Sequence, residues 1–468
     1  MSRPSKLILF VILAIGLSLR LYRIGAKPFW VDELGVAFAA MMPTLGDALK
    51  FAHGHVMAMP LDYVIAWLMT RVSSSEDWLR LPEAVWGTLS LAAGYLLYRQ
   101  LVEERVALVA TFLLAISPAL IEYSQELRFY APLVFFYTLS TAVGLKASRS
   151  GKAVDWLLFI LICLTGIFFH IYAALALIPV SLWTLAEKGM RGRNFGFFSL
   201  STLLILSGTE YAIYMYGSFP GETSALFAFE SPWQVILGGL GWLPLFPATT
   251  SAWLFGLFSL LFSLLGAYHC LSLSHRKYLL LLLLSIVMQI GILLGLAAMK
   301  HYFASARQFI FLVPPAVSLT AVGIDTLLQR IQTASARTSF HTQLFYGMTV
   351  FALGCLVIPP LQQYYVLEKG ATRSILQLLN MKWQPDQLIY ITPGYNRDVY
   401  TFYADRLEHN SDLAQSFLSL ETSTDKALST RATFLISDPS FDGTALGFER
   451  IFIPPMNTLY PQVLWQRH

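Results

Sequence analysis

Charge is what this 468-residue sequence has least of: Asp, Glu, Lys and Arg together make up 13% of it. Soluble globular chains carry about 25%. A chain this poor in charge cannot cover its surface with polar groups, which excludes an ordinary water-soluble body and makes lipid the expected solvent. Net charge is low as well, at +4, so nothing points to nucleic acid as a partner. Cysteine is scarce. Cys163, Cys270 and Cys355 each lie in an apolar stretch, with neither a disulfide framework nor a zinc spacing. Repeats, low-complexity tracts and long linkers are missing too.

Apolar residues, by contrast, make up 56% of the chain, and the mean hydropathy is +0.58. A transmembrane helix needs roughly 20 mostly apolar residues. Windows meeting or nearly meeting that length are 7–24, 81–98, 106–122, 132–147, 155–169, 171–187, 196–216, 251–271, 278–299, 309–328 and 343–360, giving about eleven spans. Arg3 and Lys6 precede the first window and Arg20 follows it, with no small-x-small cleavage site. It reads as a retained span with the N-terminus inside.

Basic clusters fix the orientation. They fall at Arg99 and Arg105, at Lys146, Arg149 and Lys152, at Lys188, Arg191 and Arg193, at Arg276 and Lys277, and at Arg330 and Arg337. Alternating the spans puts all of them on the cytoplasmic side, provided that Pro60–Thr70 is a short helix on the outer surface. The outside then carries the loop 25–80, the turn 123–131, His170, the loop 217–250, the turn 300–308 and everything after Pro360. That tail alternates short apolar runs (Leu388–Thr392, Thr433–Ser437, Arg450–Pro454) with polar, Gly- and Pro-containing segments and one helical pattern, Arg373–Met381. The expected architecture is an all-α polytopic membrane core over 1–360, N-terminus in and C-terminus out. A small extracytoplasmic α/β domain follows over 361–468. The expected location is the plasma (inner) membrane, in many passes.

Polar groups at the outer ends of the spans are the candidates for chemistry, because ionisable residues at membrane depth are costly. Asp32 and Glu33, just past the first span, offer a general base for a hydroxyl, or an Asp that N-caps a helix running to Met42. In Ser124-Gln125-Glu126-Leu127-Arg128-Phe129-Tyr130, Arg128 suits phosphate through its planar donors. Glu126 can orient it, hold a metal or touch a sugar; an interfacial ion pair with belt tyrosines is the alternative. His170 sits alone between two spans, where a packing histidine is the ordinary case. Lys300, His301 and Arg307 gather cations on the side that anchoring residues avoid, which suits a phosphate. His53 and His55 form an H-x-H that lacks further metal ligands in sequence, so His55 reads as a loop or substrate contact.

Several of these segments together resemble the GT-C superfamily, specifically the lipid-linked-sugar transferases related to protein O-mannosyltransferases and to the aminoarabinose transferase of lipid A (ArnT). Phe29-Trp30-Val31-Asp32-Glu33 resembles the family's acidic pair in the first outer loop. Met59-Pro60-Leu61-Asp62-Tyr63 is similar to "PPLYY", and Leu79-Arg80-Leu81-Pro82-Glu83-Ala84 to "RLPSA". Ser124 to Ala131 is similar to "SQEARMYA", and Phe169-His170-Ile171-Tyr172 to a His-Tyr turn. Ala306-Arg307-Gln308-Phe309 with Pro314-Pro315 resembles "RYF…PP". The likeness runs over about residues 1–330 in order and spacing. The chain departs from it where "HPPLYY" is Val56-Met57-Ala58-Met59-Pro60-Leu61-Asp62-Tyr63, and where the usual Arg-Tyr is Arg307-Gln308.

The resemblance implies a GT-C fold and inverting transfer of a sugar from a polyprenyl-phosphate donor to a hydroxyl of a lipid, glycan or protein. It implies Asp32 as base with Glu33 in support, and Arg307, Arg128, Lys300 and His170 on the donor phosphate. Glu126, Tyr130 and His55 fall on the substrate side. No cofactor is fixed: some relatives need a divalent metal and others do not. Two rivals follow from the same residues. A secondary transporter or flippase would place its charges near the midplane and show inverted repeats. A glycan-binding receptor would keep its function in the tail.

Overall fold

The computed structural model describes residues 3–53, 59–188, 192–217, 226–227, 230–242, 250–272, 277–301, 303–335, 339–367, 369–407, 410–419, 432–455, 458 and 461–467. Helices dominate. In chain order they are α1 (Arg3–Leu21), α2 (Val31–Ala40), α3 (Leu45–His53), α4 (Pro60–Thr70), α5 (Glu76–Leu101), α6 (Glu104–Ala115), α7 (Pro118–Tyr123), α8 (Tyr130–Ser150), α9 (Ala153–Ile167) and α10 (Leu177–Lys188). There follow α11 (Arg193–Tyr216), α12 (Pro232–Gly239), α13 (Thr250–Ser272), α14 (Lys277–Met299), α15 (Val313–Ser335), α16 (Ser339–Val366), α17 (Thr372–Lys382), α18 (Arg397–Leu407) and α19 (Ser411–Gln415). Two 3-10 turns matter for the site, Ile171–Ala176 and Ala306–Leu312.

Every apolar window of the sequence is occupied by helix, with one break. The window 106–122 divides at Ser117-Pro118: α6 ends at Ala115 and Pro118 opens α7 as its first residue. Proline has no N–H to donate and favours the first helical turn, the place Pro118 takes here. Among the described residues six helical stretches are long and apolar enough to cross a membrane. They are α1, α11, α13, α14, Ala306–Ile331 including α15, and the Gly347–Val366 part of α16. Of the about eleven windows read from length, six meet this criterion among the described residues, and Ala153–Ile167 and Ile171–Glu187 are shorter apolar helices. With most of the large exposed side chains on these helices being Leu, Phe, Val and Ile, the chain is a multi-pass membrane protein.

The chain divides into two compact units. One holds Met1–Tyr22, Ala39–Val72 and Leu79–Tyr364; the other holds Arg23–Phe38, Ser73–Trp78 and Tyr365–His468. In the first, Ala306–Ile331 is almost wholly enclosed, and α13 lies along α15. Glycines permit that closeness: a Cβ on Gly323 would run into the Phe262 carbonyl, and one on Gly266 into the Leu319 carbonyl. Small residues at a helix crossing let backbones approach where lipid gives no hydrophobic drive. Ser263 and Thr320 share a hydroxyl hydrogen bond of 2.7 Å at the same crossing.

The second unit contains a five-stranded sheet in the order β2-β1-β3-β5-β4. Its strands are β1 (Leu388–Thr392), β2 (Phe417–Ser419), β3 (Ala432–Ser437), β4 (Phe448–Phe452) and β5 (Val463–Arg467). β1 pairs parallel with β2 and β3, whereas β5 runs antiparallel to both β3 and β4. Tyr390, Leu435, Phe448 and Trp465 form its core. The Trp465 indole N–H finds Ser437 Oγ at 2.8 Å, which satisfies the one polar atom that the ring buries.

The unit boundaries differ from a single division near residue 360. Arg23–Phe38 and Ser73–Trp78 cluster with the tail, because side chains of α17 and α18 hold them. Phe29 N–H donates to the Tyr403 hydroxyl at 2.5 Å. That hydroxyl donates to Glu76 Oε1 at 3.0 Å. Arg373 completes the node, reaching Glu76 Oε1 at 2.8 Å and Ala26 O at 3.1 Å.

Candidate functional site

The segment 124–130 is fixed by its own polar side chains. After α7 the chain turns sharply, with Arg128 N–H donating to Glu126 O at 2.8 Å. The Gln125 amide donates to Arg20 O and Tyr22 O, each at 2.8 Å, and its oxygen accepts the Tyr364 hydroxyl at 3.0 Å. One glutamine thereby ties the turn to the ends of α1 and α16. Arg128 then lies over the Phe129 ring, 4.7 Å from its centroid. The same ring stands 4.4 Å from His170 and 4.7 Å from Tyr130. Tyr130 continues the row to Tyr123 at 4.6 Å.

His170 is buried and caps the 3-10 turn that follows it: its Nδ1 accepts the Tyr172 N–H at 3.2 Å. An accepting Nδ1 places the ring proton on Nε2, assigned from the hydrogen bond. Burial, with the neighbouring Arg128 adding to it, pushes the imidazole down to about 3. His170 is therefore neutral at ordinary pH and offers a donor, not a charge.

Two carboxyl groups join this cluster without having been singled out in the sequence. Pro60 opens α4, and Leu61 N–H donates to Phe168 O at 3.1 Å, which fastens the helix to the His170 turn. Asp62, next along, is 3% exposed, and Glu83 on α5 is 2% exposed. Burial pushes Asp62 up to about 6, opposed by Arg128 and by a side-chain hydrogen bond with Glu83. Burial likewise raises Tyr63 to about 12, with Arg128 opposing and Asp62 adding.

Arg307 sits in the 3-10 turn Ala306–Leu312, whose start is held by Glu230. Glu230 Oε1 accepts the Ser305 hydroxyl at 2.5 Å, and Oε2 accepts Ala306 N–H at 3.1 Å. Gln308 braces the turn by donating to Phe303 O at 3.1 Å. Tyr123 is raised well above the usual phenol range by burial and by Glu122, Glu126 and Tyr130, and Arg307 opposes the shift. Arg307 is thus within electrostatic reach of the aromatic row. Lys300, at the end of α14, is exposed.

The first unit therefore gathers Arg128, His170, Glu126, Tyr130 and Arg307, with Asp62, Tyr63, Glu83 and Tyr123 beside them. Asp32 and Glu33 belong to the second unit. There α2 begins with Trp30 O accepting from Glu33 N–H at 2.9 Å and Leu34 N–H at 3.1 Å. Glu33 is fully buried, and its Oε2 reaches back to Trp30 N–H at 3.3 Å. The cap at this helix start is made by Glu33, so Asp32 is not the capping residue. Asp32 is half-buried in the first turn, where a carboxylate is favoured by the helix dipole. His55 lies outside the described residues. Among the described residues no three His, Cys, Asp or Glu side chains converge to hold a metal ion.

Residues 58–208 match the family model described as dolichyl-phosphate-mannose-protein mannosyltransferase. YkcB of Bacillus subtilis (strain 168), which carries a mannosyltransferase name, is 28% identical over 164 residues; that stretch is 33% of this chain and 22% of YkcB. The match thus spans about a fifth of that relative. In fold the chain is similar to ArnT from Cupriavidus metallidurans in the apo state, with a TM-score of 0.56 at 12% identity over 97% of both chains. The undecaprenyl-phosphate-bound ArnT structure gives 0.51 at 11% identity with the same coverage. The oligosaccharyltransferase AglB from Archaeoglobus fulgidus, in complex with an inhibitory peptide and a dolichol-phosphate, gives 0.52 at 12% identity over 93% of this chain and 69% of that one. These likenesses agree with the resemblance read from the sequence, and the similarity in fold to ArnT extends over nearly the full length of both chains.

Proposed function

We propose that this protein is an inverting glycosyltransferase that moves a sugar from a polyprenyl-phosphate donor to a hydroxyl acceptor at the outer face of the plasma membrane. The observation that carries it is Arg128 and neutral His170 packed on the Phe129 ring, which continues through Tyr130 to Tyr123, with Arg307 near enough to act electrostatically on Tyr123. Two guanidiniums near a row of aromatic rings suit a phosphate attached to a sugar, since planar donors match phosphate oxygens and rings match sugar faces. Support also comes from the family model and from fold relatives whose structures hold undecaprenyl phosphate or dolichol-phosphate.

In the reaction the acceptor oxygen attacks the sugar's anomeric carbon while the bond from that carbon to the phosphate oxygen breaks. The polyprenyl phosphate leaves with the bonding pair, and the configuration inverts. Arg128 and Arg307 stabilise the charge that grows on the leaving phosphate, and His170 can donate its Nε2–H to a phosphate oxygen. Asp32 takes the acceptor proton, the role the resemblance gives it. Glu33 supports it by capping α2 at Trp30. Glu126, Tyr130 and His55 are assigned to the sugar and acceptor side.

Reconstituted protein given radiolabelled polyprenyl-phosphate sugars tests the proposal. It requires label in an acceptor-linked product, with stoichiometric release of polyprenyl phosphate. Movement of intact donor between leaflets without release would identify a flippase instead.

A further inference from the structure

A cavity of about 140 Å³ lies wholly within the second unit, and none of Arg128, His170 and Arg307 lines it. Its walls come from two stretches of chain. Arg23, Lys27 and Pro28 follow α1; the other stretch runs from the last residues of α16, Tyr365 and Val366, to Arg373 and Ser374 in the first turn of α17. Three of the lining residues are cations, and among the described residues none is an acid. Arg373 gives one N–H to Ala26 O at 3.1 Å and another to Glu76 Oε1 at 2.8 Å. Glu76 thus offsets one of the three charges, but a guanidinium has five donors and can hold a further anion. Lys27 is 7% exposed and has interactions of its own in the protein; an ammonium carries three donors, so it too can serve more than one partner. Arg23 is exposed. The neighbouring carboxyl groups lie off the wall: Asp77 stands beside Gly25, and Glu33 reaches Trp30 N–H. Glu368, next to Leu367 in the chain, lies outside the described residues. Sites that enclose a drug-sized ligand run to roughly 300–1,000 Å³. A cavity of about 140 Å³ therefore takes a group the size of a phosphate and not a whole sugar-lipid.

Position along the chain picks the source of that phosphate. Tyr365 and Val366 close the membrane-crossing stretch Gly347–Val366, and Arg23 comes just after α1, another such stretch. Gln125 holds the ends of both helices, through Arg20 O, Tyr22 O and the Tyr364 hydroxyl. Two spans therefore end together, and the residues of the cavity follow directly at the depth where hydrocarbon gives way to headgroups. Val366, on the cavity wall, is 53% exposed and offers an acyl chain an apolar surface. Basic residues that merely anchor a helix favour the cytoplasmic side. By the orientation read from the basic clusters this is the opposite side, so anchoring does not account for three cations here. We infer that the cavity is a binding site for the phosphate of an anionic membrane lipid, with Arg23, Lys27 and Arg373 as its ligands and Val366 against the acyl chain. A phosphate held between them joins the segment before α2, on which Asp32 stands, to the start of α17. The binding site itself goes beyond the glycosyl transfer proposed above and does not depend on Asp32 being the base.

The test uses the full-length protein in a non-ionic detergent, titrated in turn with phosphatidylglycerol, with phosphatidylcholine of the same acyl chains and with inorganic phosphate. Native mass spectrometry counts the bound copies. The wild type is expected to hold one phosphatidylglycerol that Arg23→Gln and Lys27→Gln each bind about fivefold more weakly, and that the double variant loses. Phosphatidylcholine, whose headgroup has no net charge, should not take that place. Lys382→Gln removes the same charge from the exposed last turn of α17 and should keep the copy. Arg23 is exposed, so Arg23→Gln alone serves if Lys27→Gln does not fold. Equal phosphatidylglycerol binding by the wild type and these variants, or an equal loss in Lys382→Gln, overturns the site. Phosphatidylcholine held with the same dependence on Arg23 and Lys27 overturns the demand for an anionic lipid. Inorganic phosphate that displaces the copy makes the ligand a soluble phosphate and overturns the lipid assignment. None of these readouts involves sugar transfer, so their failure is distinct from failure of the glycosyltransferase reading.

Discussion

Glu230 clasps Ser305, taking the Ser305 hydroxyl on one carboxylate oxygen at 2.5 Å and the next residue's N–H on the other at 3.1 Å. That bidentate hold sets the turn on which Arg307 stands. Glu230→Ala should leave the protein folded but let Arg307 drift. Hydrogen bonds to a charged group are worth about 1.5–3 kcal/mol each, so a rise in donor KM of roughly tenfold is expected, with a smaller change in kcat. Glu230→Gln, which keeps one acceptor, should fall between. Initial rates against donor concentration measure it, and an unchanged KM would remove Glu230 from any role in placing Arg307.

Arg307→Ala should weaken donor use more than Lys300→Ala. Arg307 is half-buried and within reach of Tyr123, whereas Lys300 is exposed. A guanidinium also holds two phosphate oxygens at once, and an ammonium does not. Donor titrations of the two variants side by side decide the order. The reverse order would shift the phosphate site towards the end of α14.

The Tyr403 hydroxyl is the middle of the chain of contacts from Phe29 to Glu76. Tyr403→Phe leaves Phe29 N–H without its acceptor and should cost about 1–3 kcal/mol in the second unit. Protease digestion of the 23–38 segment is the direct readout. Faster cleavage there, with the rest of the chain equally resistant, is expected; equal cleavage throughout would show that the segment is held by other contacts.

Acid affects two buried groups in opposite senses. His170 is lowered on folding, so its neutral burial favours the fold above the free imidazole's pKa, and that contribution is lost as pH falls from about 6.5 towards 3. Asp62 is raised, so its contribution is present at low pH and is lost as pH rises from the ordinary carboxyl range through about 6. The two effects oppose each other between those limits. Each variant should therefore reveal what the wild type conceals. His170→Gln should flatten the acid-side fall in Tm, and Asp62→Asn should steepen it, by at most about 1.4 kcal/mol per pH unit for either group. Melting curves in detergent at pH 4 to 7 measure both.

Much of the helical fold was legible because apolar length is a local property. The tail was half legible. Leu388–Thr392 is β1 as read, and Arg373–Met381 falls inside α17. β5, Val463–Arg467, escaped because its pairing with β3 and β4 is set at long range. Window 106–122 was read as one helix by counting apolar residues across Pro118, where the structure has two. At the site, Arg128, His170 and Tyr130 could be named from sequence since each sits in an unusual place for a polar group. Asp62 and Glu83 could not be paired, because which helix faces meet is decided by packing, here by the Leu61–Phe168 contact. Nor does anything local in the loop around Glu230 say that it grips a turn at Ser305.

The central claim is that sugar passes from a polyprenyl phosphate to a hydroxyl with Asp32 as the base. Asp32→Asn keeps size and shape, and because Glu33 makes the cap at this helix start, the fold should be retained. The direct measurement is transfer rate at saturating donor for purified wild type and Asp32→Asn, with the anomeric configuration of the product read by NMR. The account predicts an inverted product from wild type and a rate lower by about 100-fold or more in the variant, the usual scale for general-base catalysis, with donor binding intact. A retained anomer, or an Asp32→Asn protein that transfers at the wild-type rate, would contradict it.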